Sequence, residues 1–169
     1  MTLSMHQAAV PPVVAQLKAL SGILDKADAA VKAGQFGEAE LMEARLAPDM
    51  FAFPRQIQIA SDLAKGVCRL AGQEPPAWPD EEKTLDELRH RLARTVEFLE
   101  ALPAAEVDGS EERNIHLSFQ GGAVTMDLTG QQYLLRFVLP NLYFHAATAY
   151  GILRNKGLAL VKRDFLGGM

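Results

Sequence analysis

A chain of 169 residues has room for one domain with a continuous core, and 49% hydrophobic and 22% charged residues exclude global disorder. With 17 Lys and Arg against 21 Asp and Glu, the net charge of −4 removes the basic surface that phosphate neutralisation demands of a nucleic-acid module. No apolar run approaches the roughly 18 residues needed to cross a bilayer, so no membrane partner is expected.

The first Lys or Arg is Lys18, and Pro11-Pro12 interrupts the early apolar stretch, so no secretory leader is expected. The single cysteine, Cys68, cannot pair within the chain, and a cytoplasmic location follows as the expectation. Residues 1–169 are expected to form a single domain.

Helical periodicity marks a first long helix over Pro11–Val31, carried by Val13, Leu17, Leu20 and Leu24. Ser4–Val10 adds an extra turn from which Pro12 kinks or restarts the helix. A short helix is predicted around Glu38–Arg45, closed before Pro48. The second long helix starts at Pro54, continues to Ala71 and ends on Gly72, with Ile59, Ala60, Leu63, Val67 and Leu70 as its stripe. Pro75, Pro76 and Pro79 stiffen the following linker, where Trp78 reads as an anchor at the core edge.

Thr84-Leu-Asp-Glu87 is a capping box, and Leu85, Leu88, Leu92, Val96 and Leu99 then form the stripe of the third long helix. Asn114–Phe119 and Ala123–Leu128 alternate about Gln120-Gly-Gly122, the pattern of a β-hairpin that must pack on the bundle to persist. The fourth long helix starts at Thr129-Gly-Gln-Gln132, runs to Asn155 and stops at Gly157, and Pro140 is expected to bend it or open one turn. The predicted fold is mostly α, a four-helix bundle with a small hairpin between its third and fourth helices.

The sequence lacks a phosphate-binding glycine loop, a dinucleotide fingerprint, HExxH and CxxC. Of its four histidines, His6, His90 and His116 read as solvated. His145 differs, because it shares a helix face with Leu134, Val138, Leu142, Ala149 and Ile152. A ring on that face is expected to be buried, and a buried imidazole needs a partner. Asn141 stands one turn earlier, and Gln56 sits at the N-terminal end of the second helix's stripe, so the three are expected to converge. Gln58 points away on ideal geometry, and a shifted helix start brings it in. Arg45–Phe51 reads as a rigid approach that rims this pocket, whereas Asp49, Arg55 and Asp62 read as helix-end and surface charges.

Three readings of the trio stay open: a structural polar network, a small-molecule pocket, and a catalytic metal site. Carboxamide oxygens are weak neutral ligands for zinc or nickel, so no metal is assigned from these residues. Cys68 reads as a packed helix residue rather than a reactive thiol.

The motifs Arg45-Leu-Ala-Pro-Asp-Met50, Gln56-Ile-Gln58, Asp62-Leu-Ala-Lys65 and Pro140-Asn-Leu-Tyr-Phe-His145 resemble a bacterial domain-of-unknown-function branch of the DinB/YfiT-like superfamily. The resemblance spans nearly the whole chain and implies a four-helix bundle, frequent dimerisation, and often a three-histidine metal site, for which zinc or nickel would be the fitting divalent ion. It further implies thiol-cofactor transfer or metal-dependent hydrolysis in some relatives. His145 matches the second histidine of the family's fourth-helix pair, but Asn141 occupies the first position and Gln56 or Gln58 the second-helix position. His145 is thus the only residue at a family ligand position. The expectation is a homodimer that binds a small molecule between the second and fourth helices without an intact metal site. A metal-dependent hydrolase or thiol transferase with a degenerate site, and a dimeric interaction protein, are the alternatives; whether it is an enzyme stays open.

Overall fold

The computed structural model describes residues 2–168, the side chain of residue 120 aside. The first helix, α1 (Met5–Lys32), begins earlier than its periodicity suggested. Ser4 Oγ accepts the Gln7 N–H at 3.3 Å and Gln7 Oε1 accepts the Ser4 N–H at 3.2 Å, a reciprocal cap that starts the helix before its prolines. Pro11 and Pro12 lie inside the continuous helix. Buried Met5, Ala9 and Val10 extend the apolar stripe across them, and that burial opposes the cost of the lost N–H donors.

After the short α2 (Glu38–Glu43), α3 (Phe53–Lys65) carries Pro54 in its first turn, where no helical partner for an N–H exists. The segment tightens into a 3₁₀ turn over Gly66–Ala71 and closes on Gly72 at φ 76°. The buried Tyr133 hydroxyl packs on this turn and donates to the Gly66 carbonyl at 3.0 Å, and a Cβ on residue 66 would collide with the Tyr133 hydroxyl.

The third long helix, α4 (Leu85–Glu100), has its capping box in place. Thr84 Oγ1 accepts the Glu87 N–H at 3.2 Å, and Glu87 Oε2 accepts the Thr84 N–H at 3.0 Å. A turn of helix, α5 (Ala104–Val107), leads to the antiparallel hairpin of β1 (Asn114–Phe119) and β2 (Val124–Thr129). Ile115 faces Leu128 and Leu117 faces Met126, so one face is apolar, and buried Ile115 and Leu117 dock it on the bundle.

Thr129 caps α6 (Gly130–Gln132), which passes through a π-helical turn at Tyr133–Val138 into α7 (Leu139–Asn155). Pro140 stands in the first turn of α7. Its missing N–H cannot serve the preceding turn, and the chain opens there into the wider π-helical turn, one of the two outcomes expected of this proline. Gly157, at φ 97°, ends the helix, and α8 (Lys162–Phe165) follows.

The four long helices close a ring in which α1 contacts α4 and α7, and α3 contacts the same two. Phe53, Leu17, Leu20, Leu24, Ile57, Leu88 and Leu92 fill its centre. Among the described residues no helix is long and apolar enough to cross a membrane. The α3–α7 contact is the one that matters for chemistry, because it sets Gln56 against His145.

Candidate functional site

Gln56 lies one turn into α3 and is buried, while His145 lies in the middle of α7 and is half-buried. His145 Nδ1 and Gln56 Oε1 are 2.7 Å apart, and Gln56 Nε2 donates to the Phe51 carbonyl at 3.1 Å. The second bond fixes the first. The Gln56 amide nitrogen is spent on Phe51, so its oxygen faces the imidazole as an acceptor and Nδ1 must carry the proton. The neutral ring then has its lone pair on Nε2, which meets no hydrogen-bond partner among the described residues.

Burial, followed by the charge of Arg55, holds the His145 pKa below the ordinary imidazole range and keeps the ring neutral. The Phe144 ring meets it edge-on at 5.1 Å. Phe51 and Phe144 are each 59% exposed, so the site is an apolar-rimmed shelf open to solvent.

The remaining sequence candidates are placed differently. Asn141 Nδ2 donates to the Phe137 carbonyl at 2.7 Å, one turn back on its own helix, so the expected trio is a hydrogen-bonded pair with Asn141 beside it. Gln58 is buried on the opposite flank, where its amide donates to Glu82 at 3.0 Å. The larger concavities also lie elsewhere. One of about 540 Å³ is bounded by Trp78, Glu82, His90 and Arg94, and one of about 420 Å³ by His6, Pro11, Lys18 and Glu100. His90 and His116 are exposed as expected, each beside an aspartate, but His6 is half-buried at the second concavity.

Sequence reasoning missed a charged seam between α3, α4 and the Trp78 linker. Arg91, its side chain 2% exposed, pairs with Asp62 at 2.8 Å, Asp80 at 2.9 Å and Glu82 at 2.9 Å, and donates to the Pro79 carbonyl at 3.0 Å. Burial works against its charge, but Glu82 and Asp62 more than offset that and raise its pKa. Lys65 is buried under Trp78, with Nζ 4.2 Å from the ring centroid, and donates to the Pro76 carbonyl.

Arg55 pairs with Asp80 and reaches Gln58 at 3.5 Å, so Arg55 and Asp62 belong to this seam and are not isolated surface charges. Arg91 and Thr95 lie on one flank of the leucine stripe, which was the available signal. Cys68 is buried, and burial pushes its thiol up to about 11, which leaves it protonated and unsuited to nucleophilic attack.

Residues 5–166 match the DUF1993 family, described as a domain of unknown function. Over 97% of its length the chain is 40% identical to a protein from Shewanella denitrificans whose crystal structure is that of a DinB family member. The two folds superpose with a TM-score of 0.86, over 92% of the Shewanella chain. The chain is a DinB-like protein of the DUF1993 family. No curated protein matches it.

For this DinB-like chain the family resemblance implied a metal, and the donor set does not fit one. Among the described residues no three His, Cys, Asp or Glu side chains converge as a ligand group. The carboxamides at the other two family positions are already committed, Asn141 to a backbone carbonyl and Gln56 to the imidazole and Phe51. A zinc or nickel ion there would face one imidazole nitrogen and no anionic ligand.

Proposed function

We propose that this DinB-like protein binds a small molecule at the His145 shelf. The observation that carries the reading is the Gln56-imposed tautomer, which leaves an unpartnered imidazole lone pair beside exposed aromatic surface. The buried groups of the Arg91 seam are met almost throughout, whereas this lone pair is left at the half-open edge of the bundle. A fixed acceptor with an apolar rim is the usual make-up of a recognition site: the rim supplies affinity and the acceptor fixes orientation.

The test is a fragment screen read by NMR on the imidazole of His145 in the full chain. Fragments should perturb that ring and raise the melting temperature, and both effects should vanish in His145→Ala. Fragments that stabilise wild type and His145→Ala equally would refute the site.

A second reading has its own observation. Leu46, Phe51, Leu135, Tyr143 and Phe144 are large and exposed, and a second copy of the chain covering part of this surface would form the homodimer. Sedimentation should then show an association that Phe144→Asp weakens; a concentration-independent monomer removes this reading.

A further inference from the structure

The His145 shelf carries a charge as well as an acceptor. Arg55 precedes Gln56 on α3, and its guanidinium carbon lies 5.9 Å from the centroid of the Phe51 ring. The same Phe51 offers the carbonyl that orients Gln56, which sets Arg55 and Phe51 next to the Gln56–His145 pair. Nη1 of Arg55 is engaged by Asp80 and Gln58, while its Nη2 and Nε meet no acceptor among the described residues. Asp80 is itself shared with Arg91, so it does not belong to Arg55 alone. After burial, the charge of Arg55 is what holds the His145 pKa down. Asp80 occupies Nη1 alone, so Arg55 keeps a guanidinium edge free beside the shelf.

Resting on the reading of this shelf as a small-molecule site, we infer that its ligand is an aromatic acid that also carries a hydrogen-bond donor. The carboxylate would lie on the free edge of Arg55, where a guanidinium offers paired donors. The ring would lie among Phe51 and Phe144. A hydroxyl would donate to His145 Nε2, which in its imposed tautomer can only accept.

Three phenols of nearly the same shape separate charge from shape: 4-hydroxyphenylacetate, its neutral alcohol analogue tyrosol, and the cationic tyramine. Titrated into the full chain and followed on the His145 imidazole by NMR, the anion should bind at least tenfold tighter than tyramine, with tyrosol between. Arg55→Gln should collapse that order to within about twofold while tyrosol binding persists, and Arg55→Lys should retain it. Phenylacetate, which lacks the hydroxyl, should bind more weakly than 4-hydroxyphenylacetate. If tyramine or tyrosol equals the anion in wild type, the acid inference falls and the binding site survives. If none of the three perturbs His145 at millimolar concentration, the inference and the site both fall.

Discussion

The Arg91 seam and the His145 shelf flank the same helix, α3, and treat their polar groups in opposite ways. At the seam, one guanidinium meets three carboxylates and a carbonyl, Ser61 and Thr95 bond each other at 2.8 Å, and Gln58 and Lys65 are tied to the linker. Among the buried side-chain atoms described there, only Arg91 Nε lacks a partner. At the shelf, one imidazole nitrogen is satisfied and the other meets no partner among the described residues. Burial explains the contrast, since a charge taken out of water must be met in full, whereas a half-open lone pair can wait for water or a ligand. The seam holds the linker to the bundle; the shelf has capacity left over.

If that contrast is right, damage at the seam should appear as lost stability and damage at the shelf as altered titration and binding. Arg91→Ala should cost most, about 3–5 kcal/mol by chemical denaturation, because Glu82 would lose its ion-pair partner and Asp62 and Asp80 would keep only Lys65 and Arg55. A loss below about 1 kcal/mol would mean that the linker is held by packing alone.

Thr95→Val comes next. Thr95 donates its one hydroxyl proton to the Arg91 carbonyl at 2.7 Å, so Ser61 donates to Thr95; the substitution strands a buried Ser61 hydroxyl at about 1–3 kcal/mol. Restored stability in the double variant Ser61→Ala/Thr95→Val would confirm that the stranded donor is the cause.

At the shelf the expected signal is pH dependence. The folded pKa of His145 is depressed, first by burial and then by Arg55, so the unfolded chain takes up the proton first, near pH 6.5. The stability associated with the neutral ring is whole above that pH and declines as pH falls toward the folded value. Denaturation curves collected from pH 7.5 downward should show this decline in wild type and a flatter one in His145→Gln; equal slopes would place the proton uptake elsewhere. The smallest effect is the most direct. Wild type should show the Nδ1–H tautomer by nitrogen NMR, and Gln56→Leu should mix the tautomers at a stability cost of about 1 kcal/mol.

Several elements were legible because their signals are local. The Thr84 and Thr129 caps, the stop at Gly72, the stripe of α4 and the Gly-Gly hairpin each depend on residues within a few positions of one another, and all appear. The stripe assigned to α3 was too narrow. Ile57, Ala64, Gln58 and Lys65 are buried there, while Ile59 and Leu63 are only half-buried, because the linker covers a second flank of the helix. That cover is invisible to periodicity, which assumes one buried face per helix. The start of α1 was misread for a related reason, since a proline pair stops a helix by local rules that tertiary burial overrides.

By itself the sequence determined the class of fold, the ends of most helices and the singular position of His145, because apolar spacing and capping are properties of neighbouring residues. Only the tertiary structure decided that Gln56 holds the ring, that Asn141 bonds its own helix, and that Arg91 gathers three carboxylates from α3 and the linker. Those outcomes depend on how helices are rotated against each other and where a linker returns. Contacts across 89 positions of chain, as between Gln56 and His145, leave no trace in local spacing.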